Sequence, residues 1–331
     1  MKKILFFSIS IIFYYLLLAA IVFTFSYVSL INGKTYDWFW VKSIQKKTYF
    51  RGYRNIWQYK NDCTSFDKDL LYKPKVGKCI FKNPEFTTAL NFDGYTRSHK
   101  TSVQDYQSKD YLIVLGDSIA MGWGVNDSET FSYKLEKLSN KKVYNLGVSS
   151  YGTVREIKRL LLSPYYKNSK TIIIQYHPND LAENKDLDFN KLNNLDEYKE
   201  IFQSEDNTSS NARYIFRNYK TSIRLFFSDI IDIIFREKNL EIIDFNEHKE
   251  YLENIIRLNI DLSQKQVVIF LAKQPWEKVI NFPKTDKNFK YILIDLDKSS
   301  FFNIDEHPNK IGHSKIANIL FNFYKDLEYK N

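Results

Sequence analysis

No charged residue stands between Lys3 and Lys34, and the stretch Ile4–Ile31 is almost wholly apolar. At ~1.5 Å per helical residue, such a run exceeds the ~30 Å hydrocarbon core of a bilayer. A helix buried in a soluble core is the other reading, and so long an uncharged run fits it poorly. The run outlasts the ~7–15 apolar residues of a signal peptide, and no small-x-small cleavage site follows it; Ala19-Ala20 comes nearest. Residues 1–31 are therefore expected to form one uncleaved transmembrane helix, a signal-anchor, with a cleaved signal peptide as the alternative. Lys2 and Lys3 place the N-terminus inside, whereas Lys34, Lys42, Lys46, Lys47 and Arg51 count the other way. Trp38, Phe39 and Trp40 stand just past the run, where an interfacial aromatic belt belongs.

The remainder has the make-up of a folded globule. Hydrophobic residues are 44% and charged residues 26% of the 331, which excludes a disordered chain. Ten Gly and seven Pro exclude collagen-like sequence, and two Cys exclude a Cys-rich zinc module. The net charge of +9 comes from Lys spread along the chain, with no basic stripe and no nucleic-acid motif, so no nucleic-acid partner is expected. Cys63 and Cys79 lie 16 positions apart. In an oxidising compartment they can pair, closing a loop that contributes ~3 kcal/mol by chain entropy. Two unpaired buried thiols are the alternative.

No internal repeat is present. Residues 32–108 form a juxtamembrane and lead-in segment that is aromatic, basic and weakly periodic, with turn signals at Lys73-Pro74, Asn83-Pro84 and Asp93-Gly94. From residue 109 the pattern changes. Apolar runs at Tyr111–Leu115, Lys142–Leu146, Thr171–Tyr176, Gln266–Ala272 and Tyr291–Leu296 read as strands. Helical patterns occupy Asp127–Leu138, with Phe131, Leu135 and Leu138 on one face, then Thr153–Leu162, Arg213–Arg236, Glu247–Leu262 and Ile311–Leu327. Residues 183–212 are polar, and an insertion spans about 183–245. Short apolar strands alternating with helices predict an α/β fold, a three-layer α/β/α domain on a five-stranded parallel sheet. In such a sheet ligands bind beyond the carboxyl ends of the strands.

Those ends carry chemistry. Gly116-Asp117-Ser118 follows the first strand, Gly147 the second, and His177-Pro178-Asn179-Asp180 the third. Asp305-Glu306-His307-Pro308-Asn309, then Gly312, precede the last helix. A hydroxyl, an imidazole with a nearby carboxylate, a glycine and an amide are the inventory for acyl transfer. In these four blocks, taken in order over about residues 110–325, the chain resembles the SGNH/GDSL hydrolases. The lead-in Leu90–Arg97 resembles a segment that precedes the serine block in membrane-anchored members.

The resemblance implies a flavodoxin-like SGNH domain over 109–331 and a serine esterase. Ser118 would be the nucleophile, His307 its base and Asp305 the group that orients the base. The backbone N–H groups of Ser118 and Gly147 and the Asn179 amide would form the oxyanion hole, each donor worth ~2.7–4 kcal/mol in the transition state. The implied substrate is an O-acyl, above all O-acetyl, ester of envelope carbohydrate or lipid. The implied location is membrane-anchored, with the catalytic domain extracytoplasmic. An O-acyltransferase on an envelope polysaccharide and a non-catalytic envelope binding or assembly protein are the alternatives. No cofactor and no metal are expected, because the five His are scattered.

Two departures stand out. The family commonly places the acid three residues before the histidine, where this chain has Ile304, so a Ser118–His307 dyad stays open. Block three opens on His177 instead of Gly. Asp117, Asp180 and His313 are expected to be structural, and His99 and His248 have no supporting constellation. Asn126–Glu129 resembles a capping box. Gly122 and Gly124 follow the serine without the Lys-Ser or Lys-Thr pair of a phosphate loop.

Overall fold

The computed structural model describes residues 2–97, 111–186 and 240–328. In chain order its elements are α1 (Lys2–Ile31), α2 (Phe39–Thr48), β1 (Thr64–Asp67), β2 (Leu71–Pro74), β3 (Gly77–Asn83), β4 (Phe86–Phe92) and β5 (Tyr111–Leu115). Then come α3 (Ser118–Met121), α4 (Phe131–Ser139), β6 (Lys142–Asn145), α5 (Thr153–Leu162), β7 (Thr171–Tyr176) and α6 (Asp180–Asp186). From residue 240 onward follow β8 (Glu241–Asp244), α7 (Phe245–Asn259), β9 (Gln266–Lys273), β10 (Glu277–Ile280), β11 (Phe289–Asp295) and α8 (Lys310–Glu328).

Five strands form one parallel sheet in the order β11-β9-β7-β5-β6. Both faces are covered, which is why these strands read as continuous apolar runs. Ile113, Leu115, Ile172 and Ile174 pack with Ile157 and Leu160 of α5 and Leu252 and Ile256 of α7. Leu112, Val114, Val268 and Phe270 pack with Phe131 and Leu135 of α4 and Ile316 and Leu320 of α8. This is the α/β/α arrangement that the resemblance implies. The strand order reverses at β5, so the loops after β5 and β7 flank the switch point where ligands bind in open α/β sheets.

The lead-in is more regular than its sequence pattern. The β1–β2 and β3–β4 pairs are both antiparallel, and Pro84-Glu85 is the two-residue turn between β3 and β4. Pro74 closes β2 rather than making a turn, which suits a residue that cannot donate to a ladder. Cys63, just before β1, is disulfide-bonded to Cys79 in β3. Phe81, Leu90 and Phe92 pack in one cluster with Trp57, Met121, Trp123, Val148 and Tyr151. The lead-in thus caps the loops at the carboxyl edge of the sheet.

Within α1, Phe6–Ile31 spans 26 residues and is long and apolar enough to cross a membrane. Its large side chains from Phe6 to Leu18 face outward, unlike those of a core helix. The last turns of α1 are different, because Phe23 and Tyr27 pack on Ile44 of α2. Gln45 of α2 is fully buried and ties the connection, its amide donating to Lys34 O at 2.8 Å and to Ser26 O at 3.3 Å.

Other boundaries moved. The helix expected over Asp127–Leu138 is a short turn, Asp127–Glu129, followed by α4, because Thr130 is extended and its hydroxyl caps Tyr133 N–H. The capping box is present, with Glu129 accepting from Asn126 N–H at 2.9 Å. Leu138 is exposed, not on the buried face. The helix α6 runs to Asp186, into the stretch read as polar loop. The helical pattern of Arg213–Arg236, most of the insertion and His99 lie outside the described residues.

Candidate active site

Ser118 opens the single turn α3 directly after β5. Gly116 permits this corner, with φ of +142°, and a Cβ there would meet Ala120 and Gln175 within 2.8 Å. The Asp117 carboxylate accepts from Ile119 N–H at 2.8 Å, so this residue serves the turn. Arg97 braces the far end of the same turn, donating to the carbonyls of Met121, Gly122 and Val125 and to Asp127. That puts the lead-in arginine behind the serine.

The Ser118 hydroxyl lies 2.8 Å from His307 Nε2. On the other side of the ring, Nδ1 lies 2.5 Å from Asp305 Oδ1. The short spacing between acid and histidine works because Glu306, between them, has φ of +69°. That left-handed residue turns the two flanking side chains toward one another. The loop is closed by Phe302 N–H donating to His307 O at 3.0 Å and Asn309 N–H to Ser300 O at 2.8 Å. Asn309 then accepts from Ile311 and Gly312 N–H at the start of α8.

Asp305 is buried, and burial raises its pKa. The facing His307, then Arg54 and the Tyr49 hydroxyl, outweigh burial and hold the carboxyl below the ordinary range. Its second oxygen accepts from Trp123 Nε1 at 3.1 Å and from the Tyr49 hydroxyl, with Arg54 Nε 3.9 Å away. Trp123 also stacks on the His307 ring at 4.9 Å. Glu85, in the β3–β4 turn, accepts from Asn303, Ile304 and Asp305 N–H, each at 2.8 Å. Tyr49, Arg54, Glu85 and Trp123 were not legible as site residues. Only Trp123, five residues after the serine, carried a positional hint.

Ser118, Asn179, His177, Ser149 and Ser150 line one cavity of about 300 Å³ with Asp305 and His307. Asn179 Oδ1 lies 2.8 Å from His177 Nδ1. Gly147 departs from the expectation of an oxyanion donor. Its N–H donates to Asn145 Oδ1 at 2.9 Å, so it is spent inside the loop. A Cβ there would lie 2.6 Å from Met121 N and 2.7 Å from Ala120. The glycine is needed for the contact between this loop and α3, not for substrate approach. Ser150, three residues on, has φ of +60° and borders the cavity. Neither its N–H nor that of Ser118 meets an acceptor among the described residues.

Asp180, His248 and His313 make structural contacts. Asp180 accepts from His177 N–H at 3.0 Å. His248 is buried against the Tyr176 hydroxyl at 2.7 Å. His313 accepts from Phe131 N–H at 3.2 Å and is fully buried. Gly122 and Gly124 both have positive φ and shape the turn around Trp123.

No protein-family model matches the chain, and no curated protein matches it. Among solved structures it is similar to a carbohydrate esterase over 80% of this chain and 85% of that one, at 12% identity and a TM-score of 0.36. A member of the lipolytic protein G-D-S-L family from Veillonella parvula covers 66% of this chain and 96% of its own, at 15% identity and a TM-score of 0.29. An acetyl xylan esterase from the rumen bacterium Butyrivibrio proteoclasticus covers 69% and 67%, at 14% identity and a TM-score of 0.34. At that distance the overlap bears on neither substrate nor mechanism.

Proposed function

We propose that the chain is a serine esterase that removes O-acyl groups, above all O-acetyl, from envelope carbohydrate or lipid. The observation that carries this is the continuous relay from Asp305 through His307 to Ser118 at the wall of a cavity. In the first step Ser118 Oγ attacks the ester carbonyl carbon while His307 Nε2 takes the hydroxyl proton. The carbonyl oxygen becomes an oxyanion, held by the N–H groups of Ser118 and Ser150 and the Asn179 amide. The tetrahedral adduct collapses, the C–O bond to the alcohol breaks, and His307 returns its proton to the leaving oxygen. Water then attacks the acyl-serine with His307 again as base, releasing the acid and restoring Ser118. Asp305 stays ionised throughout and stabilises the imidazolium.

A carbohydrate alcohol fits the cavity wall, which carries Gln58, Gln274, Arg54 and Glu306, side chains that hydrogen-bond sugar hydroxyls. An extracytoplasmic domain fits the bonded Cys63–Cys79 pair, since disulfides persist in oxidising compartments. The membrane is then a partner through α1.

The test is acetate release from an O-acetylated oligosaccharide and from p-nitrophenyl acetate by the full chain in detergent. Ser118→Ala is expected to lose at least about a thousand-fold in kcat. Equal turnover by the variant overturns the proposal in favour of a binding role.

A further inference from the structure

We propose that Tyr49 is a positioning residue for Asp305 and that it makes the base of the membrane anchor a working part of the catalytic apparatus. The inference rests on the esterase reading and deepens it. Asp305 gives one oxygen to His307, and a carboxylate held at one oxygen alone is free to rotate about its χ2 bond. The Tyr49 hydroxyl fixes the second oxygen, with Trp123 Nε1 as the neighbouring donor. Burial, then the charge of Asp305, push the Tyr49 pKa up, so the hydroxyl keeps its proton and remains a donor at every physiological pH.

The delivery of Tyr49 is built into the chain. After α2 the backbone makes a π-helical turn, Tyr49–Tyr53, closed by Arg54 N–H donating to Tyr49 O at 2.9 Å. One turn thereby brings two side chains to the same carboxylate, Tyr49 by hydrogen bond and Arg54 by charge. The Tyr49 ring is fully buried in a cluster with Leu30, from the last turn of α1, and Ile304, the residue before Asp305. Lys46 of α2 pairs with Glu306, on the other side of Asp305. The anchor, α2 and the catalytic loop therefore share one packed contact, and the orientation of the acid depends on a segment that precedes the catalytic domain in sequence.

The experiment is hydrolysis of p-nitrophenyl acetate by the full chain in detergent across pH 5–9, with fluorophosphonate labelling of Ser118 as a second readout. Tyr49→Phe keeps the ring against Leu30 and Ile304 and deletes only the hydroxyl. It is expected to lower kcat and the labelling rate about ten-fold with KM within about two-fold, as for loss of one charge-assisted donor. It also moves the acid limb of kcat/KM to higher pH, because a carboxylate one donor short holds the imidazolium more strongly. Tyr111→Phe, which removes a hydroxyl bond to Tyr165 O at the start of β5, the end of the sheet away from Ser118, leaves rate and limb unchanged. A Tyr49→Phe enzyme with wild-type kcat and limb overturns the proposal, and so does a slower enzyme whose limb has not moved. Wild-type activity in Ser118→Ala instead overturns the esterase reading itself, and this inference with it.

Discussion

Glu306 sits between an acid and a base that a regular backbone would send apart, and its φ of +69° brings them back together. A non-glycine residue there costs about 1–3 kcal/mol and persists where its surroundings fix it. Here the Glu85 carboxylate clamps the three preceding N–H groups and Lys46 holds the Glu306 side chain. The geometry favours a triad over a dyad. Asp305→Asn is accordingly expected to lower kcat by about three to four orders of magnitude with little change in KM, because an amide no longer stabilises the imidazolium. A loss of only a few-fold, measured on the same ester, would mean that Ser118 and His307 act alone. Ser118, His307 and Asp305 were legible as candidates because they stand in ordered blocks that resemble those of the SGNH/GDSL hydrolases. Tyr49 and Trp123 were not, since aromatic residues abound in this chain and each polar tip is recognised only by what it touches. Gly147 was legible as a required glycine, but the reason lay in the contact with Ala120 and Met121, which spacing does not reveal.

Among the elements, α8 does more than close the sheet. Its His313 is buried against Phe131 at the start of α4, with ring centroids 5.9 Å apart. Burial, then the charges of Arg97, Lys134 and His307, push its pKa down to about 3. An unfolded histidine titrates near 6.5, so the unfolded chain takes up a proton that the fold refuses. This stability is present above about pH 6.5 and is lost as pH falls, by up to about 1.4 kcal/mol per unit. His313→Asn keeps an acceptor for Phe131 N–H without a titrating group. In urea titrations it should therefore lose less stability than wild type between pH 6.5 and 4.5. Parallel losses would remove His313 as the source. The sheet strands and α8 were readable because doubly covered strands and amphipathic helices print strong periodicities. The β1–β4 pairs were not, since the strands are short and Ile80 of β3 stands exposed where the alternation asks for a polar residue. Their burial comes from loops far along the chain.

Over the whole molecule, the apolar span and the catalytic loop meet. Leu30 ends the span and touches the residue next to Asp305, so the proposed active site lies close to the surface of whatever membrane α1 enters. That proximity was hidden in the sequence, where residue 30 and residue 304 have nothing to relate them. The two-part plan of apolar run and α/β domain was plain from the outset, because each part follows from composition and periodicity alone. The account stands on a nucleophilic serine at position 118, and the direct measurement is its covalent capture. Cells producing the full chain are treated, intact and after detergent lysis, with a fluorophosphonate that does not cross membranes, and the adduct is mapped by mass spectrometry. We predict phosphonylation at Ser118 in both samples, abolished in both by His307→Ala. A protein that carries no adduct at Ser118 even after lysis would contradict the account.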